Sequence, residues 1–201
     1  MSIFIAYPDG RIGREVKDFF RYVPDLQNRN RFQRIGQYDF MITKARDVPQ
    51  AVERGCLFGL TGLDFLREYG SPELDIIEQI PFCKSRLVLF EPKVGAVFPM
   101  VVTVYPNMAR KYLQERSLYG EPWELITVSG ETESWVASGF ADRGIDVVET
   151  GKTLEETGLV IKDVIMESSA VIIARKDNIN KAREMYYQAK GFMSLSLEHG
   201  G

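Results

Sequence analysis

The segment from Asp146 to Leu154 has the residue types and the spacing that can hold a sugar phosphate. An apolar strand ends there, and Thr150-Gly151-Lys152-Thr153 then forms a sharp turn before a short helical stretch. Glycine lets a ligand approach the backbone closely, and successive N–H groups in a turn at a helix N-terminus attract anions. The two threonine hydroxyls add donors and the lysine adds positive charge. The turn can therefore bind a phosphate group.

Asp146 lies just before this turn, near the end of the predicted strand. A carboxylate in that position can accept hydrogen bonds from ribose hydroxyls, as the acidic residue of dinucleotide-binding folds does. A phosphate-binding turn next to such a carboxylate predicts a ribose-phosphate site. The segment does not have the GxxxxGK[ST] spacing of a P-loop. The same residues also fit an ordinary strand, turn and helix with Thr150 as the cap, and the segment alone leaves both interpretations open.

The composition argues against several other kinds of chemistry. The only histidine, His199, lies near the end of the sequence, where we expect a frayed tail, so Ser-His-Asp, Cys-His and His–Cys zinc sites are not expected. Cys56 and Cys83 form no CxxC pattern and are interpreted as buried apolar thiols. A net charge of -3 lacks the basic excess of nucleic-acid-binding proteins. We expect no nucleic acid as a partner.

Membrane insertion and export are not expected either. No apolar run approaches the roughly 18 residues that a membrane-spanning helix needs. The first residues, MSIFIAYPDGR, have no charged n-region and are too short for a signal peptide. We therefore expect a cytoplasmic protein without a membrane partner.

Apolar runs of strand length alternate with helical patterns along the whole chain. Strands are predicted at residues 2–6, 38–43, 57–62, 85–91, 99–105, 123–129, 144–151 and 171–175. This alternation is typical of an α/β fold with mostly parallel sheets. With residues 91–95 as the candidate hinge, we expect two α/β lobes with a ligand-binding cleft between them. Residues 1–92 with 171–201 would form the first lobe, and residues 93–170 the second, which carries the turn.

Residues 133–159 resemble the signature of ATP phosphoribosyltransferases, the enzymes that start histidine biosynthesis. In that signature Glu is followed after five residues by Gly-x-Ala, and then by Asp-x-Val-x-Thr-Gly-x-Thr-Leu. Glu133, Gly139 and the segment from Asp146 to Leu154 match it. Other segments are similar to further parts of the family, so the resemblance extends over nearly the whole chain. These segments are residues 46–49, 59–62, 84–88 and 105–112.

The resemblance implies a fold similar to type II periplasmic binding proteins. It implies transfer of a phosphoribosyl group from phosphoribosyl pyrophosphate to N1 of ATP, with Mg²⁺ assisting the departure of pyrophosphate. Asp146 and Glu133 would act at the ribose and the metal, although the resemblance identifies no complete set of metal ligands. The phosphoribosyl group would be held by Thr150, Gly151, Lys152 and Thr153. The nucleotide would be bound by Arg11 and Arg46.

A length near 200 residues resembles the short form of the family. Members of that form make dimers and work with a separate regulatory subunit related to histidyl-tRNA synthetase. The resemblance therefore implies a homodimer and a hetero-oligomer with such a subunit.

Departures from the family pattern keep a second function class open. Asp9-Gly10-Arg11 stands where the family usually has Lys-Gly-Arg, and residues 100–104 replace a stretch containing an arginine and a lysine. The chain could instead be a two-lobed ligand-binding protein, or a catalytically silent regulatory paralogue that binds a ribose-phosphate or nucleotide. Glu133 could then only stabilise a helix N-terminus, and Arg46 could form a surface ion pair.

Overall fold

The computed structural model describes residues 2–96, 99–116 and 123–190 of the chain. His199, expected in a frayed tail, lies outside the described residues. The strands are β1 (Ile3–Pro8), β2 (Phe32–Ile35), β3 (Tyr38–Thr43), β4 (Phe58–Gly62), β5 (Leu74–Pro92), β6 (Met100–Thr103), β7 (Glu124–Thr127), β8 (Arg143–Val148) and β9 (Leu159–Arg175). The α-helices are α1 (Arg11–Glu15), α2 (Val48–Glu53), α3 (Leu63–Tyr69), α4 (Pro106–Arg116), α5 (Thr132–Ala137), α6 (Lys152–Glu156) and α7 (Ile179–Ala189).

The chain divides into two compact units. The first contains the residues up to Cys83 and those from Ser169 onward, and the second contains residues 84–168. Both boundaries lie inside long strands, so β5 and β9 each contribute residues to both units. The first lobe expected from the sequence ended at residue 92 and resumed at residue 171.

The sheet of the first unit has the hydrogen-bonded order β2-β3-β1-β4-β9. Strand β1 is parallel to β3 and β4, whereas β2 is antiparallel to β3 and β9 is antiparallel to β4. Its two faces alternate along each strand, as the pleat requires. Ile5 and Tyr7 belong to a core that includes residues of α1 and α7, whereas Ala6 belongs to a core shared with α2 and α3.

The sheet of the second unit has the order β5-β8-β6-β7. Strand β6 is parallel to β7 and β8, but β5 is antiparallel to β8. Four of the strand pairings named here are parallel and three are antiparallel, so parallel pairs are the majority, as predicted, but β2, β5 and β9 make both sheets mixed. One core of this unit joins Val88, Phe90 and Val102 to residues of α5 and α6, so it packs beneath the loops that carry the predicted site.

Cys56 and Cys83 are buried free thiols, as the sequence predicted. Burial raises the pKa of the Cys56 thiol to about 11, so it stays protonated at neutral pH. Among residues 2–96, 99–116 and 123–190, no helix has the length and apolar character needed to cross a bilayer.

Candidate functional site

A pocket of about 300 Å³ lies in the second unit, where β8 leads into α6. It is lined by Phe90, Glu133, Asp146, Val147, Val148, Glu149, Thr150, Gly151, Thr153 and Leu154. Most of these residues come from one continuous stretch of chain, and Glu133 is brought to it by α5. The structure thus joins both predicted carboxylates and three residues of the predicted turn in one pocket.

The turn depends on the backbone freedom of Gly151. This glycine has φ +78°, a left-handed conformation that other residues adopt only with strain. A Cβ atom added there would lie 3.5 Å from Cδ1 of Ile161, which is ordinary contact, so the constraint comes from the backbone and not from lack of space. The N–H of Lys152 donates to Oγ1 of Thr150 at 3.3 Å. Thr150, which was predicted to bind the phosphoribosyl group, therefore also holds the turn closed.

Lys152 has a different environment from its neighbours in the turn. Its side chain is exposed, and Nζ lies 3.7 Å from Oε1 of Glu156, one helical turn further along α6. The ammonium group is therefore partly balanced within the helix.

Hydrogen bonds to both oxygens hold the Asp146 carboxylate in the pocket. The hydroxyl of Thr132 donates to its Oδ2 at 2.6 Å, and the N–H of Val147 donates to its Oδ1 at 2.7 Å. Each of its two oxygens thus accepts a hydrogen bond from the protein, and a carboxylate oxygen can accept more than one such bond. The side chain is half-buried, which keeps it accessible from the pocket.

Thr132 was not predicted from the sequence, although it contacts the carboxylate most directly. It is the first residue of α5, it is fully buried, and its Oγ1 also lies 3.5 Å from Oε2 of Glu133. The preceding residue, Glu131, has φ +58°, which is uncommon for a residue with a side chain. No local signal in the sequence reports this contact, because a threonine before a glutamate looks like any helix start.

The pocket is acidic. Its lining residues include Glu133, Asp146 and Glu149, and among the described residues that line it there is no lysine or arginine. Within the described part of the chain, no three His, Cys, Asp or Glu side chains are close enough together to hold a metal ion by themselves. Mg²⁺ is usually bound by one or two carboxylates together with the phosphates of a substrate. These residues therefore fit a magnesium ion that arrives with a phosphorylated ligand.

Phe90, which lines the pocket, is closely matched in shape to a glycine on the neighbouring strand. Phe90 and Gly144 are opposite each other in the β5–β8 register. A Cβ atom on Gly144 would come within 2.1 Å of the Phe90 ring, so only glycine fits there. The glycine at position 144 is thus explained by the large aromatic ring beside it.

The two predicted nucleotide ligands, Arg11 and Arg46, belong to the first unit. Arg11 begins α1, after β1, and Arg46 lies in a 3-10 turn after β3. Strands β1 and β3 are parallel neighbours, and the N–H of Asp9 donates to the carbonyl of Thr43 at 2.9 Å. Both arginines therefore follow the same edge of the sheet.

Further cations meet at this edge around Asp9. Its Oδ2 lies 3.1 Å from Nζ of Lys44 and 3.8 Å from Nη2 of Arg31. Arg46 lies 3.8 Å from Asp47, and both side chains are more than half exposed. We call Arg11, Arg31, Lys44 and Arg46 the basic edge, and Glu133, Asp146 and Glu149 the acidic pocket.

Comparisons with known proteins show relatives along most of the chain. The family model HisG: ATP phosphoribosyltransferase matches residues 44–193. The ATP phosphoribosyltransferase of Pyrococcus furiosus is 35% identical over 147 residues, covering 70% of each chain. That of Thermococcus gammatolerans is 32% identical over 179 residues, covering 84% of this chain and 85% of the relative.

Solved structures show the same fold. A chain of the ATP phosphoribosyl transferase (HisG:HisZ) complex from Thermotoga maritima matches with a TM-score of 0.76 and 24% identity, over 92% of this chain and 94% of that one. The periplasmic aliphatic sulphonate binding protein SsuA of Escherichia coli matches with a TM-score of 0.55 and 12% identity, over 93% of this chain and 69% of that one. The α/β fold is thus of the type II periplasmic-binding-protein class, as predicted. Because the family model covers more than half of the sequence, the chain belongs to the ATP phosphoribosyltransferase family.

Proposed function

We propose that the acidic pocket binds phosphoribosyl pyrophosphate and presents its anomeric carbon to ATP. As a family member, the chain is a phosphoribosyltransferase of the first step of histidine biosynthesis, in which N1 of ATP displaces pyrophosphate. The observation that supports the pocket is the pairing of a left-handed glycine turn with a carboxylate held by two hydrogen bonds. The turn suits the phosphate group of a sugar phosphate, and the carboxylate suits its ribose hydroxyls.

The proposed roles follow from the charges that develop in the reaction. Displacement at the anomeric carbon makes the sugar ring more positive and the departing pyrophosphate more negative. Asp146 would accept hydrogen bonds from the ribose hydroxyls and Glu133 would stabilise the adjacent charge, while Thr150, Gly151 and Thr153 hold the 5′-phosphate. Lys152 would add charge at the mouth of the turn. Such a reaction needs positioning and charge stabilisation more than a protein nucleophile.

Magnesium is the proposed cofactor. Enzymes of this family generally use Mg²⁺. The acidic pocket supports its use here, because a polyanionic substrate would otherwise face three carboxylates. Glu133 and Asp146 are the residues that would hold the ion together with the substrate. When bound, Mg²⁺ neutralises negative charge on the pyrophosphate.

The first unit is proposed to bind ATP. Arg11 and Arg46 would contact its phosphates, because guanidinium groups are suited to phosphate recognition. Their place after parallel strands supports this role, since loops at that end of an α/β sheet commonly bind ligands.

We also propose two assemblies. The chain alone forms a homodimer, and in the second assembly it works in a hetero-oligomer with a regulatory subunit related to histidyl-tRNA synthetase. The similar solved chain comes from a HisG:HisZ complex, which supports the second assembly. The proposed compartment is the cytoplasm, where both substrates are available. Light scattering of the purified chain at micromolar concentration should give the mass of a dimer, and a strict monomer would contradict the proposal.

The decisive experiment measures turnover and binding together. Purified protein is mixed with phosphoribosyl pyrophosphate, ATP and Mg²⁺, with and without the regulatory subunit, and phosphoribosyl-ATP is measured by chromatography. Calorimetry with each substrate alone reports binding. Product formation is expected. Tight binding of phosphoribosyl pyrophosphate with no turnover under either condition would instead support a ligand-binding paralogue, which the shared fold with SsuA also allows.

A further inference from the structure

We propose that Thr132 is a positioning residue whose buried hydroxyl fixes the orientation of the Asp146 carboxylate in the acidic pocket. This inference rests on the function proposed for that pocket. It assigns a role to a residue outside the pocket lining, acting through a residue inside it.

The hydrogen-bond geometry is the first support. Oγ1 of Thr132 donates to Oδ2 of Asp146 at 2.6 Å, a short distance typical of a bond to a charged acceptor. The other oxygen, Oδ1, accepts from the N–H of Val147 at 2.7 Å. A donor on each oxygen defines the rotation of the carboxylate plane, so the lone pairs that remain point in fixed directions.

Burial is the second support. Thr132 is 0% exposed, so bulk water cannot take the place of its hydroxyl if that group is removed. Asp146 is half-buried and faces the pocket. Without the threonine, Oδ2 would lose this short hydrogen bond, and the orientation of the carboxylate would be less firmly fixed.

The local backbone is the third support. Thr132 follows Glu131, whose φ of +58° is a left-handed conformation held at the start of α5. Strained residues of this kind persist where the surrounding structure over-determines them, and they cluster at functional sites. The residue before α5 makes no side-chain capping bond, and the hydroxyl of Thr132 is directed at Asp146 and not at the helix backbone.

The test uses two variants of Thr132 and one matched control. Thr132→Val keeps the shape and removes the hydroxyl, whereas Thr132→Ser keeps the hydroxyl. The control is Thr103→Val, because Thr103 is equally buried but donates to the carbonyl of Ile145 at 2.7 Å. For each protein, kcat, the KM of each substrate and the Tm are measured, and calorimetry gives the Kd of phosphoribosyl pyrophosphate.

Thr132→Val should lower kcat/KM for phosphoribosyl pyrophosphate by about tenfold, the scale of one hydrogen bond to a charged group. The KM of ATP should stay unchanged, and Thr132→Ser should recover most of the loss. Thr103→Val should lower the Tm while the kinetic constants stay close to those of the parent protein. The proposal is overturned if Thr132→Val behaves like Thr103→Val, or if Thr132→Ser is as impaired as Thr132→Val.

Asp146→Asn separates this proposal from the function on which it rests. If Thr132 acts through Asp146, adding Thr132→Val to Asp146→Asn should cause no further loss of kcat/KM. A further tenfold loss would show that Thr132 acts elsewhere and would overturn the positioning role alone. Normal activity of Asp146→Asn would overturn the role of the pocket itself, and the positioning role with it.

Discussion

The two units carry groups of opposite charge where their parallel strands end. In the first unit, the basic edge has four cations at the end of the sheet where β1 and β3 finish, and two of them, Lys44 and Arg31, contact Asp9. In the second, the acidic pocket has three carboxylates, which come from α5, from β8 and from the turn after β8. The strands are similar in length and in their parallel pairing. The chemistry of each unit is thus decided by the residues at the ends of its strands and in the loops that follow, and the rest of the strands supports them.

The difference in charge between the two units also predicts how each of them binds a phosphorylated ligand. A basic edge can pair with phosphates directly, whereas an acidic pocket needs a cation between its carboxylates and the ligand. We therefore expect substitutions in the second unit to change the use of phosphoribosyl pyrophosphate, and substitutions in the first to change the use of ATP.

The largest expected effect comes from removing a carboxylate of the acidic pocket. Asp146→Asn keeps the size of the side chain but removes its charge, so ribose positioning should fail and kcat should fall about a hundredfold. The matched control is Asp142→Asn, at the other end of β8, where the carboxylate accepts a bond from the N–H of Met100 at 3.4 Å. Steady-state kinetics and thermal melting distinguish the two. A large loss of Tm in Asp146→Asn with normal turnover would make this carboxylate purely structural.

The next effect concerns the turn. Gly151 and Gly158 have nearly the same left-handed φ, +78° and +76°, and a Cβ atom meets no clash at either. Alanine should therefore cost each protein a similar 1–2 kcal/mol, on the order expected for a left-handed residue. Only Gly151→Ala should weaken the binding of phosphoribosyl pyrophosphate, by about tenfold in Kd. Equal Kd values for the two variants in calorimetry would argue against a phosphate at this turn.

A smaller effect is expected at the basic edge. Arg46→Ala should raise the KM of ATP by about fivefold, since exposed charge interactions contribute less than about 1 kcal/mol. Arg54→Ala, at the other end of α2, is the matched exposed control and should leave this KM unchanged. If Arg46→Ala changed only the KM of phosphoribosyl pyrophosphate, the assignment of ATP to the first unit would be contradicted.

The smallest effect lies outside both charged regions. The Arg34 guanidinium, hydrogen-bonded to both oxygens of Asp39, holds the pKa of that carboxyl below its ordinary value of 3.8. A lowered pKa stabilises the folded state above pH 3.8, and this contribution is lost as the pH falls through the lowered pKa. Asp39→Asn should therefore lower the Tm at pH 7. The difference from the parent protein should shrink in acid, and a constant difference would show that charge is not its cause.

The sequence correctly predicted those strands and helices whose limits depend on neighbouring residues in the chain. Strand β3 was predicted with its observed limits, and Pro106 opens α4 as expected of a proline in the first turn. The first half of β5 and most of β9 were not predicted as strands. Residues 74–83 mix charges and a proline with apolar residues, and residues 160–167 of β9 are exposed or half-buried, without a buried position among them. These strands form through pairing with distant parts of the chain, which a local pattern does not contain.

The candidate site also has a part that the sequence predicted and a part that it did not. The glycine turn was visible in the sequence because the residues that build it are adjacent. Thr132 was not, because its partner Asp146 lies 14 residues further along and the burial of a hydroxyl leaves no local trace. That Arg11 and Arg46 bind the nucleotide stays a prediction, because their positions after β1 and β3 place them at one end of the sheet but do not identify a ligand.

The boundaries inside β5 and β9 have a consequence for how the protein is made. The second unit is one uninterrupted stretch, whereas the first is completed only by residues that follow it. Its core includes Ile172 and Tyr186, which leave the ribosome after residue 168. We therefore expect the middle of the polypeptide to become protease-resistant before its beginning does. Limited proteolysis of nascent chains arrested past residue 168 would reveal that order, and early protection of residues 1–83 would contradict it.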